Sequence, residues 1–252
     1  MGVTTAARHT RESSPCNVVE LRQYTLVPAM RDTLVELFER EFVESQETAG
    51  LRVLGHFRDV DDPDRFVWLR SFPGMKEREA ALSDFYFGPV WKQHREAANS
   101  TMIDSDNVLL LRPFANDKAA LEELTGWARP APSEAATAGS GIITVTVYSF
   151  AEEPSDEAIT WFVSSFEDAM VDLGAPRLAL LRTEDAQNTF PGLPVREGEH
   201  VVVRIAAFAS LTEHARHQAE YAGSAADRAV RERMVAEPVA LRLAPASRSL
   251  LR

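Results

Sequence analysis

The sequence predicts an α+β protein built from two tandem, duplicated ferredoxin-like βαββαβ units that form one fused dimeric α/β-barrel. Three observations carry that prediction. FYFGPVWKQHRE (residues 85–96) returns in outline as EYAGSAADRAVR (residues 220–231), with Tyr86 and Gly88 answered by Tyr221 and Gly223. The strand and turn before each copy also match, Phe72 with Phe208 and Glu77 with Glu213. Finally, 252 residues of 45% hydrophobic content suffice for two packed units of ordinary domain size.

Each element follows from its pattern. VVELRQYTL (residues 18–26) alternates, with Val19, Leu21 and Gln23 on one face and Glu20, Arg22 and Tyr24 on the other, as a strand does. Pro28 opens a helical stretch in which Leu34, Leu37, Phe38 and Phe42 recur at helical spacing up to Gly50. Residues 51–58 and 65–72 are strands joined by the acidic hairpin DVDDPD. Residues 75–87 and 89–99 are helical, separated by Gly88-Pro89, and 107–112 is the last strand of the first unit. The order is the ferredoxin-like one.

The second unit repeats it. Residues 142–150 form a strand, and Ser155 caps a helix whose first turn carries Asp156 and Glu157. Residues 177–181 and 201–208 are strands, 211–235 is mostly helix, and 239–243 closes the sheet. The predicted division is a disordered tail over 1–16, a first domain over 17–115, a linker over 116–141 and a second domain over 142–252. PAPSEAATAGS (residues 130–140) has linker composition, with a short helix expected at 118–124. A ferredoxin-like sheet has helices on one face only, so each unit can cover the other's bare face. A homodimer of whole chains is a further level of assembly that this leaves open.

Charge and cysteine content restrict the partners. A net charge of −11 disfavours nucleic acid and anionic membrane surfaces, leaving a small molecule or another copy of the chain. The single cysteine, Cys16, falls in the polar N-terminal stretch and has no internal partner, which fits a reducing, cytoplasmic setting. Residues 1–15 do not read as a secretory signal, and no apolar run reaches membrane-spanning length.

Four stretches, VVELRQYTL, LGHFRDVDDPDRFVWLRSF (residues 54–72), FYFGPVWKQHR (85–95) and STMIDSDNVLLLRP (100–113), resemble the NIPSNAP family of the dimeric α/β-barrel superfamily. The resemblance runs almost continuously from Val18 to Pro113. The second unit is similar only in outline: Ala226 and Ala229 stand where the first has Trp91 and His94. A longer loop, DAQNTFPGLPVREGE (residues 185–199), replaces DVDDPD. The superfamily is similar to cofactor-free monooxygenases of phenols and quinols, polyketide cyclases and muconolactone isomerase, and it has haem-binding branches. The resemblance therefore implies a fold and a range of chemistries for the first unit, and no single reaction.

Three clusters in the first unit could carry chemistry. Trp91, His94 and Arg95 share a helix face, and a neutral histidine beside an aromatic wall can accept a phenolic or enolic proton near neutral pH. The same residues would equally make a structural Trp with a half-exposed His. Glu20, Arg22 and Tyr24, with Phe66, Trp68, Arg70 and Phe72 and with His56 and Arg58, present ionisable groups among aromatics if their strand faces coincide. They would then suit an acidic aromatic ligand or, alternatively, a polar, ion-paired barrel interior or sheet interface. Asp104, Ser105 and Asp106 could orient a histidine or simply form a turn before the last strand.

The other candidates are bland. The aspartates of DVDDPD lack the glycine and distal glutamate of a calcium loop, and His214 and His217 have no third ligand in view. No metal site is expected, there is no CxxCH haem motif, and neither a phosphate loop nor a nucleophile elbow appears.

The expected function is that of a cofactor-independent enzyme, with no tightly bound cofactor, acting on a small aromatic or polyketide-like molecule. Proton abstraction would start an oxygenation, cyclisation or isomerisation. His94 or His56 would be the base, Arg70 or Arg22 would hold the anion, and Asp104 would orient the base. Tyr24, Trp68, Tyr86 and Trp91 would wall the pocket. The alternative is a non-catalytic ligand-binding or assembly protein.

Overall fold

The computed structural model describes residues 13–131 and 141–252, so most of the predicted tail and the centre of the linker lie outside the described residues. The first half runs β1 (Val18–Leu26), α1 (Arg31–Leu37), a π-helical turn (Phe38–Phe42), α2 (Val43–Thr48), β2 (Arg52–Asp59), β3 (Arg65–Phe72), α3 (Met75–Tyr86), α4 (Pro89–Asn99) and β4 (Met102–Pro113). After α5 (Ala115–Thr125) come β5 (Ile142–Phe150), α6 (Asp156–Trp161), a second π-helical turn (Phe162–Phe166) and α7 (Glu167–Asp172). The chain finishes with β6 (Arg177–Thr183), β7 (His200–Phe208), α8 (Leu211–Tyr221), α9 (Ala225–Arg231) and β8 (Val239–Pro245).

All eight strands close into one antiparallel barrel in the order β1-β3-β2-β8-β5-β7-β6-β4. Each half supplies four neighbouring strands. Two short seams join them, β2 to β8 (Phe57↔Pro245, Arg58↔Ala244, Asp59↔Leu243) and β4 to β6 (Leu111↔Thr183, Arg112↔Arg182, Pro113↔Leu181).

Strand alternation decides which residues meet. Val19, Leu21, Leu69, Leu109, Val145 and Ile205 point inward and belong to a single buried apolar cluster. The expected polar, ion-paired barrel interior is therefore corrected. An eight-stranded barrel is just wide enough for side chains to fill, and charges enclosed there without water would cost several kcal/mol each. Glu20, Arg22, His56 and Arg70 face outward, under the helices, beside a second cluster containing Phe38, Phe42, Phe66 and Trp68.

Several boundaries move for local reasons. Pro28 precedes the helix rather than opening it: Ala29 sits at φ 66° with its N–H donated to Asp64 Oδ1 at 2.9 Å, and α1 begins at Arg31. Gly88 does end α3 and caps α4, with Pro89 in the first turn. A Cβ at Gly88 would stand 2.5 Å from the Asp84 carbonyl oxygen, so only glycine fits. β4 starts at Met102, well before the expected 107, with irregular register opposite Gln23–Leu26.

The first part of the predicted linker belongs to a full helix, α5, whose Leu121 and Leu124 plug one end of the barrel core. Cys16, expected in a free tail, is wholly buried there, and its backbone N–H donates to Glu122 Oε1 at 3.3 Å. Burial pushes its thiol up to about 12. No helix among the described residues is long and apolar enough to cross a membrane.

Candidate functional site

The outward faces of β1, β2 and β3 coincide. Antiparallel pairing sets Glu20 opposite Arg70, Arg22 opposite Trp68, Tyr24 opposite Phe66 and His56 opposite Trp68. At the centre is Glu20, fully buried. Its Oε2 accepts from Arg22 Nη1 and Arg70 Nε, both at 2.8 Å, and its Oε1 accepts from Arg78 Nε at 2.6 Å. Arg70 and Arg78 are fully buried and Arg22 is 1% exposed. Burial opposes ionisation of Glu20, but the charges of Arg70, Arg22 and Arg78 outweigh it and hold the carboxyl well below the usual range. One carboxylate thus faces three guanidiniums, and the cluster keeps a net positive charge.

Beside this cluster lies an aromatic cavity of about 30 Å³ walled by Tyr24, Phe38, Phe42, Trp68, Tyr86 and Trp91. That is room for a water or two, so a larger ligand requires a wall to move. Two buried donors belong to the wall. The Tyr24 hydroxyl accepts from Arg22 Nε at 3.0 Å, which leaves its own proton to give. Burial pushes its acidity down, so it remains a neutral donor. Trp68 Nε1 is buried with no hydrogen-bond partner, and the guanidiniums of Arg70 and Arg22 lie 4.9 and 5.6 Å from its ring. Neither a carboxylate nor a histidine lines the cavity.

The structure thus brings together six of the nine predicted site residues, Arg22, Tyr24, Trp68, Arg70, Tyr86 and Trp91, and separates the other three. His56 is fully buried behind Phe38, its Nε2 2.8 Å from Glu39 Oε1, and burial lowers its pKa. Glu39 is itself held at about 2: burial opposes its charge, but hydrogen bonds from His56, Ser247 and Arg248 prevail. His94 stands at the rim, its Nε2 3.5 Å from Glu41 Oε2 and its ring 6.4 Å from that of Phe42. Asp104 is exposed on β4 and accepts from the Asp106 backbone N–H, so the expected orienting role is corrected: no histidine among the described residues is its partner. The aspartates of the β2–β3 hairpin bind their own loop, Arg65, Arg242 and the Ala29 N–H.

Arg78, Gln46 and Asn188 were not singled out by the sequence. Arg78 lies on α3, Gln46 Oε1 accepts from Arg70 Nη1 at 3.1 Å, and Asn188 Oδ1 accepts from Arg78 Nη1 at 3.0 Å. Asn188 comes from the long β6–β7 loop of the second half, whose Phe190 packs on Tyr86 at 6.0 Å between centroids. The length of that loop was the one available signal.

The second half places Tyr148 on β5 as Tyr24 is placed on β1, with Phe162 and Phe166 in its π-turn for Phe38 and Phe42. Those rings close directly on Tyr148, at 5.0 and 5.7 Å between centroids. Thr144 stands opposite Ala206 and Thr146 opposite Arg204. Arg204 pairs with Glu167 (Nε–Oε1 2.8 Å), and Arg177 pairs with Asp117 (Nε–Oδ1 3.1 Å). Here each of the two arginines has a carboxylate of its own.

Fold and site together describe an α/β barrel with a basic, aromatic pocket between sheet and helices of its first half. Residues 19–116 match the NIPSNAP family, so the first half is a NIPSNAP domain. Across the whole chain the fold is similar to a protein of Fusobacterium nucleatum provisionally named a monooxygenase, at 10% identity and a TM-score of 0.54, covering 92% of this chain and 93% of that one. A protein of Lactobacillus acidophilus with the same provisional name matches at 11% identity and a TM-score of 0.50, covering 91% and 94%. A NIPSNAP-like domain protein of Burkholderia xenovorans is 23% identical over 39% of this chain and 85% of that one, with a TM-score of 0.36. No curated protein matches the sequence.

Proposed function

We propose that the first half is a cofactor-independent enzyme site for a small aromatic or polyketide-like molecule with an ionisable phenolic or enolic hydroxyl. The observation that carries this reading is the Tyr24 hydroxyl on the cavity wall, backed by Arg22 at 3.0 Å and by a buried cluster with more guanidiniums than carboxylates. Preorganised donors beside fixed positive charge stabilise an oxyanion where water would have to reorganise to do so. Tyr24 and Trp68 would each donate to the ligand oxygen while Arg22 and Arg70 supply the field. His94, paired with Glu41 at the rim, is the proposed acceptor of the released proton. The resulting electron-rich carbanion or phenolate is the species that oxygenation, cyclisation or isomerisation requires. The halves are read as a duplicated pair in which the second became scaffold, on the strength of the shared element order, the matching π-turns and the equivalent tyrosines.

The test is a chromogenic nitrophenol whose ionised form absorbs in the visible. Bound to the native protein, it should ionise at a pH about one unit or more below that of the free dye, and Tyr24→Phe should remove most of the shift. A dye that binds without any shift would refute oxyanion stabilisation here. Oxygen uptake or product formation with phenols and quinols then distinguishes turnover from binding alone. Binding without turnover is the alternative reading, which the small size of the cavity favours.

A further inference from the structure

The excess positive charge of the first-half site ends at an unfilled position. Arg78 is fully buried; its Nε is taken by Glu20 and its Nη1 by the amide oxygen of Asn188, while Nη2 has no hydrogen-bond partner. The groups that face it electrostatically are Glu20, Arg70 and Arg22. A neutral amide therefore occupies one prong of a guanidinium fork whose second prong is empty, in a cluster that already lacks negative charge. Burying charge without compensation is costly, and the planar fork matches a carboxylate bidentately.

Asn188 sits on the β6–β7 loop, where its Oδ1 also accepts from the Phe190 backbone N–H at 3.1 Å and its Nδ2 donates to Leu193 O at 3.0 Å. The β6–β7 loop is tied to β4 at its two feet, through Glu184 N to Leu110 O (2.9 Å) and Arg196 N to Val108 O (2.8 Å). Between the feet its polar contacts with α3 are Asn188 to Arg78 and a long Thr189 Oγ1 to Met75 O bond of 3.4 Å. A hollow of about 290 Å³ opens between the two stems of the loop, lined in part by Leu110, Asn188, Val195 and Arg196, while Phe190, Leu193 and Val195 pack against the aromatic cluster of the first half. Phe190 rests on Tyr86, a wall of the 30 Å³ cavity, so lifting the tip frees the wall that must yield.

We propose that Asn188 holds the place of a substrate carboxylate: a small aromatic acid displaces the loop tip from Arg78 and seats its carboxylate on that fork. The substrate class is thereby narrowed to hydroxylated aromatic or enolic monocarboxylic acids. The carboxylate at Arg78 and the oxyanion at Tyr24 together match the excess charge of three arginines over one glutamate. The narrowing of substrate class rests on the function proposed above; the seat itself does not.

The experiment measures binding of benzoate, which has the carboxylate and no hydroxyl, against methyl benzoate, by thermal shift and tryptophan fluorescence. Native protein, Asn188→Ala and Asn188→Asp are compared, with circular dichroism to check folding. Removing the competing amide should tighten benzoate about threefold, and an intramolecular carboxylate should weaken it about tenfold, with methyl benzoate unaffected by either. Benzoate affinity unchanged across the three proteins, or no benzoate binding in any of them, would overturn the proposal. Should Asn188→Asp fail to fold, Asn188→Ala alone decides. A nitrophenol that ionises on binding while benzoate ignores Asn188 leaves the oxyanion reading standing and removes the seat; the converse result removes the oxyanion reading and keeps the seat.

Discussion

The two halves of this barrel solve the same packing problem with opposite electrostatics. Each covers the outer face of a four-stranded sheet with a helix carrying a π-turn, and each turns a tyrosine of its first strand toward the phenylalanines of that turn. In the second half Arg204 and Arg177 are matched by Glu167 and Asp117, and the rings close on Tyr148. In the first, Arg22, Arg70 and Arg78 share Glu20 alone, and a small cavity survives beside Tyr24. π-Turns recur in both halves, so on their own they do not mark function here. The surplus charge is confined to this cluster of the first half, and the proposed function rests on it.

The largest expected effect tests that surplus. Glu20→Gln leaves three buried guanidiniums with no carboxylate and should cost roughly 3–5 kcal/mol, whereas Glu167→Gln strands mainly Arg204 and should cost less. Urea unfolding of both variants checks the order, and equal losses would erase the contrast. Next, Tyr24→Phe should weaken phenol binding about tenfold while Tyr148→Phe leaves it unchanged, as titrations would show. Trp91→Ala should enlarge the cavity and favour bulkier phenols severalfold, with Trp161→Ala showing no such gain.

The smallest effect is a pH dependence. Glu20 and Glu39 both have folded pKa values below their unfolded ones, so the unfolded chain binds protons more readily. Their stabilisation is full above about 4.5 and is lost as pH falls toward about 2. His56 acts with the same sign below about 6.5, since burial keeps it neutral. Asp117 is raised by burial and has the opposite sign. Hydrogen exchange should therefore show β1 losing protection before β5 on acidification; simultaneous loss would count against the asymmetry.

Much of the fold was legible because it is written in period-two strands and matching motifs. Residues 18–26, 65–72 and 142–150 are strands with the expected ends. The site was half legible. Glu20, Arg22, Tyr24, Trp68 and Arg70 fall on one side of alternating strands, and alternation survives folding. What alternation does not say is whether that side faces the barrel axis or the helices, a choice made by the closure of eight strands. His94 and Asp104 looked chemical by type, but their positions depend on the angle of α4 and on an irregular β4. Arg78 and Asn188 are far apart in sequence, and only the fold makes them neighbours.

The two seams dictate an order of assembly. Arg58 meets Ala244 only after nearly the whole chain has been made, so the barrel closes last. Until the second half emerges, the first offers solvent a sheet face bearing Val19, Leu21, Leu69, Leu109 and Leu111. Expressed alone, the first half would be sticky, recruiting a second copy of itself or precipitating. The second half thus supplies, from within the same chain and in one-to-one ratio, the cover that this face needs.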